Sequence, residues 1–547
     1  MKDGSNTRRW DGATALVAWF AVCISVLSFL YYFRQGEILL YGDAVAHINI
    51  ARRVFDSRTP GLLQLGTVWL PLPHLLMVPF LLSDWAWQTG VGGSLPSMAA
   101  FVLGAAGIFR LLRGTIRPSS SDILTRVVPW LGALVYAANP NLIYLQTTAM
   151  TEPLYLAFFI WSIVHLNEFA QACGKTKEGA TADCSSLTKC GLCLMGACLT
   201  RYDGWFLAAM VCLAAGIAVL RSKQENPQFR RSLATLVLLA AAAPIVWLSY
   251  NAIIYRNPLE FANGPYSARA IEQKTAVAGA PLHPGAKHLS VAASYFLKSA
   301  QLNVGEKIWG RMWIVLLLMG TLLASLLRPY TTPLLLLWVP LPFYALSIAY
   351  GSVPLFLPVW WPFSYYNVRY GIELLPAFAV FAPLGVYLVG TLIGKIKARI
   401  AIVAALALFV LGSYASIWRN PVCFGEARTN SRGRLAIEGE VAEFLKALPA
   451  DSTLLMYLGD HVGAVQQAGI PLRRVINEGN HRTWKQPSDP EGLWERALAN
   501  PEQFADFVIS FEHDPVSAVP KDQITALAVI HSTGQPQATI YQAHRRH

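Results

Sequence analysis

The run ATALVAWFAVCISVLSFLYYF at residues 13–33, followed shortly by Tyr41-Gly42-Asp43-Ala44-Val45-Ala46-His47, decides how the rest of the chain is read. An uncharged run of this length can cross the hydrocarbon core of a bilayer, which takes roughly 20 apolar residues. Arg8 and Arg9 precede it, as in a signal peptide, but the run is too long and no small-residue cleavage site follows. It reads as an uncleaved span. Asp43 then stands just beyond the membrane, where a charge is costly and is retained mainly for chemistry or binding.

Composition extends this reading to the whole chain. Of 547 residues, 54% are hydrophobic and only 14% charged, and the mean hydropathy is +0.40. A soluble chain of this length does not look like that; the class is a polytopic α-helical membrane protein. Eleven apolar segments are predicted as spans: residues 13–33, 96–112, 127–145, 153–169, 188–200, 205–220, 232–254, 311–327, 331–350, 370–393 and 400–418. The fifth and sixth are short, as half-helices meeting inside the membrane would be, an arrangement tolerated where the break lines a cavity. Short basic loops set the orientation. Arg110, Arg113, Arg117 and Arg126, then Lys175, Lys177 and Lys189, then Arg221, Lys223, Arg230 and Arg231, then Lys395, Lys397 and Arg399 all fall on the side of the N-terminus. That side is expected to be cytoplasmic. The net charge of +12 is then a matter of topology and anionic lipid, and no nucleic acid is implied.

The same arithmetic puts residues 34–95, 146–152, 255–310 and 419–547 outside. The first of these carries Asp43 and a second apolar stretch, Trp69-Leu70-Pro71-Leu72-Pro73-His74-Leu75-Leu76-Met77-Val78-Pro79-Phe80. Counting it as a span would put the Arg110 to Arg126 cluster outside, so it is expected to lie along the membrane surface. Two domains follow: a membrane part over residues 1–418 and a soluble extracytoplasmic α/β domain over 419–547. In the latter, Gly433 to Leu448 reads as an amphipathic helix, and Thr453 to Leu458 and Phe507 to Phe511 read as strands. There is no phosphate loop and no nucleotide fingerprint. Cys173, Cys184, Cys190 and Cys193 cluster near one loop, but their spacing matches no standard zinc knuckle, and in an apolar helix cysteine is a small hydrophobe. Cys423 is the sole cysteine expected outside, so no disulfide is expected there.

The polar residues at the outer span ends come next. Glu152 opens the fourth span, Arg201 and Asp203 lie at the break between the two short segments, Arg369 and Tyr370 open the tenth, and Arg256 and Arg269 sit in the large loop. Singly, each has a plain structural role: Asp43 as a helix N-cap, Glu152 as an ion-pair partner, Arg369 as a headgroup anchor. Together, on one membrane face, acids and guanidiniums suit a reaction in which a base activates one group and cations receive an anionic leaving group. For His74 and Asp203 the structural role is preferred.

At these positions the chain resembles the GT-C superfamily of polytopic glycosyltransferases, especially protein O-mannosyltransferases and the lipid A aminoarabinose transferase. Gly42-Asp43-Ala44 is similar to their acidic motif after the first span, although an Asp-Glu pair stands there in the mannosyltransferases. Trp69-Leu70-Pro71-Leu72 is similar to a Lys- or His-Pro-Pro-Leu stretch, with Trp69 in place of the basic residue. Thr151-Glu152-Pro153-Leu154 echoes Thr-Asp-x-Pro-Leu, Leu199-Thr200-Arg201-Tyr202 echoes Leu-Thr-Lys-Gly, and Arg369-Tyr370 echoes a late Arg-Tyr. The resemblance covers the membrane part and not the tail.

It implies inverting transfer of a sugar from a polyprenyl-phosphate carrier to an extracytoplasmic acceptor (lipid, glycan or protein) at the cytoplasmic membrane, with the N-terminus inside. The expected catalytic pair is Asp43, the base, and Glu152. Arg369, Tyr370, Arg201, His74, Trp69, Arg269 and Arg256 are expected to bind substrate. No cofactor is required; a divalent cation between Asp43 and Glu152 is optional, since arginine can stabilise a leaving phosphate alone. The alternative is a transporter or flippase, which predicts ionisable residues through the spans and an internal repeat. The tail is expected to recognise acceptor or partner.

Overall fold

The computed structural model describes residues 11–116, 123–175, 185–221, 227–275, 281–327, 329–393, 395–480 and 489–544. Among these, nine helices are long and apolar enough to cross a membrane: Gly12–Arg34, Val91–Thr115, Glu152–Ala172, Asp203–Arg221, Gln228–Tyr255, Lys307–Leu327, Thr332–Tyr350, Val368–Leu392 and one beginning at Ile396. The two other expected spans are shorter. Ile123–Ala137 has 15 residues, because Asn139 and Pro140 restart the chain as the separate helix Pro140–Leu145, and Ser185–Cys198 has 14. The sixth segment, expected to be short, is a full helix of 19 residues.

Local chemistry explains the turns that matter. Asp11 caps the first helix, its Oδ1 accepting from Thr14 N at 3.0 Å. The helix ends with Gly36 at φ 72°, where Gly36 N bonds Phe33 O at 3.0 Å and Glu37 N bonds Tyr32 O at 2.9 Å. This is a glycine-terminated cap that redirects the chain. The outer helix Gly42–Arg53 can then begin beside the bundle, with Tyr41 as its cap residue and Asp43 in its first turn. Pro71 similarly opens the surface helix Pro71–Met77, two residues later than the motif begins.

Basic residues mark one end of the bundle. Arg110 Nη2 lies 2.7 Å from Glu168, and Arg113 pairs with the N-cap Asp11, tying together the starts and ends of three helices. Arg8, Arg9, Arg117, Lys177, Cys184 and Lys223, and the side chains of Cys173 and Lys175, lie outside the described residues. The described cysteines are all free.

At the opposite end sits the small α/β unit. Its helix runs over Val422–Lys446, starting eleven residues before the predicted Gly433 because Pro421 fixes its N-terminal boundary. A five-stranded sheet follows in the order β2-β1-β3-β5-β4, built from β1 (Leu454–Met456), β2 (Val475–Ile476), β3 (Phe507–Phe511), β4 (Ile524–Ile530) and β5 (Ala538–Ala543). β1 is parallel to β2 and β3, while β5 is antiparallel to β3 and β4. β1 and β3 are buried along their whole length, as central strands covered on both faces are.

The outer helix Gly42–Arg53 is the keystone between bundle and sheet domain. Asn49 Nδ2 donates to Gln466 Oε1 at 2.7 Å, and Trp87 Nε1 donates to Asn49 Oδ1 at 3.0 Å. Buried Arg52 pairs with Asp56 at 2.8 Å, and Asp56 in turn accepts from Leu472 N and Arg473 N, both at 3.2 Å. Asn49, Arg52, Asp56, Trp87 and Gln466 are thus mutually paired across the seam, as buried polar contacts require.

Candidate active site

Three acids stand in the first turns of three helices that converge at the end of the bundle near the sheet domain: Asp43 in Gly42–Arg53, Glu152 in Glu152–Lys175 and Asp203 in Asp203–Arg221. The positive end of a helix dipole favours a carboxylate there. Two arginines arrive from elsewhere. Arg201 sits in the break between Ser185–Cys198 and Asp203–Arg221, and Arg369 sits at the start of the 3-10 turn Val368–Leu374, after Asn367 in the left-handed region at φ 58°.

Arg369 joins the two expected catalytic acids. Its Nη2 lies 2.5 Å from Asp43 Oδ2 and its Nε 3.0 Å from Glu152 Oε1. Arg201 Nη1 reaches the same Glu152 oxygen at 3.3 Å, and its Nε lies 3.1 Å from both Asp203 and Glu373. Tyr344 closes this second knot, its hydroxyl 2.8 Å from Arg201 Nη2 and 2.7 Å from Glu373 Oε1. Tyr370 lies between the arginines, with each guanidinium 5.2 Å from its ring centroid, and Tyr344 stacks on it at 5.0 Å.

Exposure separates the members. Glu152 and Glu373 are wholly buried, whereas the Asp43 side chain is 41% exposed. Asp43 is therefore the acid open to solvent, and Glu152 is sealed away, paired with both arginines. The guanidiniums are not idle cations waiting for a phosphate: Asp43, Glu152, Asp203, Glu373 and Glu426 share the two of them.

Glu426 was not visible as a site residue in the sequence. It comes from the tail helix, and its carboxylate accepts from Val368 N at 3.1 Å and Arg369 N at 3.3 Å, capping the turn that presents Arg369. The Tyr41 hydroxyl donates to it at 2.9 Å. Arg434 of the same helix binds the carbonyls of Leu39 and Leu40 at 2.9 Å and 3.0 Å, just before Gly42, where an added Cβ would stand 3.8 Å from its Nε. Glu373 did carry a sequence signal, at i+4 from Arg369.

Trp69 and His74 flank the cluster without facing it. His74 is fully buried and shares a 2.9 Å hydrogen bond with His47, one turn beyond Asp43, and Trp69 packs on the His47 ring at 4.6 Å. Burial first, then the nearby Arg369 and Arg201 charges, pushes His47 down to about 3. Leu72 N bonds Leu199 O at 3.0 Å, fastening the surface helix to the turn that carries Arg201. Arg256 and Arg269 are exposed, and among the described residues the cluster's acids Asp43, Glu152, Asp203, Glu373 and Glu426 pair with Arg201 and Arg369 and with neither of them. Arg269 instead lines a separate recess of about 270 Å³ with Asn263, Ser267, Ala270 and Gln273. Among the described residues no three His, Cys, Asp or Glu side chains are grouped to hold a metal ion; Asp43 and Glu152 meet through the Arg369 guanidinium.

A multi-pass helical membrane protein, with a polar cluster at one end of its bundle and a small α/β domain over it, has the GT-C fold. Two crystal structures of ArnT from Cupriavidus metallidurans, one bound to undecaprenyl phosphate and one in the apo state, match it with a TM-score of 0.57 each, at 13% and 14% identity, and each comparison covers 97% of this chain and 98% of the other. The oligosaccharyltransferase AglB from Archaeoglobus fulgidus, solved with an inhibitory peptide and a dolichol-phosphate, matches over 91% of this chain and 69% of its own with a TM-score of 0.46 and 13% identity. No protein-family model and no curated protein matches the sequence.

Proposed function

We propose that this protein is an inverting glycosyltransferase that moves a hexosyl or pentosyl unit from a polyprenyl-phosphate carrier to an acceptor on the outer side of the cytoplasmic membrane, with the N-terminus inside and the sheet domain outside. The observation that carries this reading is the Asp43–Arg369 pair at the mouth of an otherwise sealed cluster: one carboxylate with an exposed edge beside one fixed guanidinium. The undecaprenyl phosphate in the ArnT structure supports a polyprenyl carrier.

In the reaction, the acceptor hydroxyl gives its proton to Asp43 as its oxygen attacks the anomeric carbon from the face opposite the phosphate. The bond between that carbon and the phosphate oxygen breaks, and its electron pair leaves with the polyprenyl phosphate. Arg369 offers N–H donors to the departing oxygens, a charge-assisted contact that strengthens as negative charge develops. Glu152, Glu373 and Glu426 hold the arginines in place and touch no substrate. No metal is needed for this sequence of events.

The alternative of a transporter is disfavoured by the placement of charge, since the cluster gathers at helix starts on one end of the bundle rather than along the spans. The experiment is to incubate purified protein with labelled polyprenyl-phosphate sugars and follow release of free carrier. Release above a no-enzyme control, abolished in Asp43→Asn, supports the proposal; movement of intact lipid-linked sugar across proteoliposomes without release overturns it. Reporter fusions after Arg117 and after Arg419 are expected on opposite sides of the membrane.

A further inference from the structure

Resting on that reading, we infer that the acceptor is a saccharide, and that its far end is held at a second site where the outer helix, the large loop and the sheet domain meet. The site is formed by Arg53, Tyr266, Tyr457 and Glu478. None of these residues is used by the cluster around Arg369.

Arg53 ends the helix Gly42–Arg53, whose first turn holds Asp43, so the two lie about 15 Å apart along its axis at ~1.5 Å per residue. That is the reach of a short oligosaccharide. Arg53 is mostly buried, its Nη1 lies 3.7 Å from Glu478 Oε1, beyond hydrogen-bond distance, and its Nε is a buried donor with no hydrogen-bond partner. A desolvated donor left unpaired is costly, and a ligand acceptor atom would satisfy it. Glu478 uses one oxygen on Leu458 N at 2.9 Å, leaving the other toward Arg53.

Two tyrosines complete the site. Tyr266 from the large loop is 47% exposed, and it neighbours Tyr457, which follows β1. Such residues give an apolar ring face with a polar tip, the combination that a sugar ring with hydroxyl edges requires. Glycine is required on both sides of the site: a Cβ at Gly479 would collide with Gln64 Oε1 at 2.8 Å, and one at Gly459 would collide with Tyr457. The turn bearing Glu478 is anchored to the first loop through Asn480, whose Nδ2 bonds Thr59 at 2.9 Å. Charge selects the ligand class. One guanidinium faces Glu478 with Asp460 close by, so the locus is net negative and suits neutral hydroxyls rather than phosphate.

The test uses the full-length protein in detergent, with chitobiose, maltotriose and inorganic phosphate as probes in saturation-transfer NMR. At least one saccharide should give signal, weakened about tenfold in Glu478→Gln and severalfold in Tyr266→Phe, with unchanged thermal midpoints in both variants. In Asp43→Asn, saccharide binding should persist while transfer is lost. Saccharide signals absent, or indifferent to Glu478→Gln and Tyr266→Phe, overturn the site, as does phosphate binding that outcompetes the sugars. Absence of transfer by the wild type from every polyprenyl-phosphate sugar would instead strike the glycosyltransferase reading and leave the saccharide site standing.

Discussion

Asp43 and Glu152 are held on two edges of one guanidinium, that of Arg369, at 2.5 Å and 3.0 Å. The acid that faces the opening and the acid that is sealed away are thus coupled through one side chain, and their replacement should have different consequences.

Asp43→Asn keeps the shape and removes the proposed base. Turnover should fall by about a hundredfold to ten-thousandfold, with carrier affinity changed far less. Single-turnover transfer together with a carrier-binding assay separates the two; transfer within about threefold of wild type excludes Asp43 as the base.

Glu152→Ala should act first on folding. Removing it takes from both arginines the buried carboxylate that joins them, and a lost hydrogen bond to a charged group costs ~1.5–3 kcal/mol, whereas an exposed pair contributes ~0–1 kcal/mol. The thermal midpoint in detergent should therefore drop much further for Glu152→Ala than for Asp43→Ala. Equal midpoints would mean that Glu152 is not the brace.

Arg369→Lys should be nearly as damaging as Arg369→Ala, because an ammonium cannot serve Asp43 and Glu152 at once through a planar fork. If the lysine variant binds carrier as tightly as wild type, Arg369 is a lipid-facing anchor rather than part of the site.

Glu426→Ala tests the tail. Its loss leaves Val368 N and Arg369 N without the acceptor they share, so transfer should fall although the residue lies beyond 418. Unchanged kcat in that variant would leave the tail with recognition alone.

The buried His47–His74 pair makes stability depend on pH. Both rings are held below the ordinary histidine value by burial, so they are neutral in the fold and take up protons on unfolding. Stability is then constant above about pH 6.5 and falls as pH drops from there toward 3, by up to ~1.4 kcal/mol per pH unit for each ring. Thermal midpoints measured from pH 7 to pH 4.5 should decline more steeply in wild type than in His47→Gln/His74→Gln; parallel curves would refute it.

The sequence by itself determined the class and the ends of the bundle. Long uncharged runs have one stable environment, a bilayer, and charges interrupting them must gather at the membrane faces, which is why Asp43, Glu152, Arg201 and Arg369 could be picked out as a set. Helix starts favour carboxylates whatever the tertiary context, so the acids at 43, 152 and 203 were legible too. Only the tertiary structure decided which of them are buried and which stay open to solvent. Burial of Glu152, the turning of His74 to His47, the separation of Arg256 and Arg269 from the cluster, and the arrival of Glu426 all depend on contacts between residues far apart in the chain. No local pattern encodes such contacts, because they follow from how the outer helix Gly42–Arg53 is wedged between bundle and sheet. The same cause shortened Ile123–Ala137: Asn139 and Pro140 read as part of an apolar run, yet Asn139 Nδ2 bonds Asn303 O at 2.8 Å, a distant polar partner that makes a break in the helix stable.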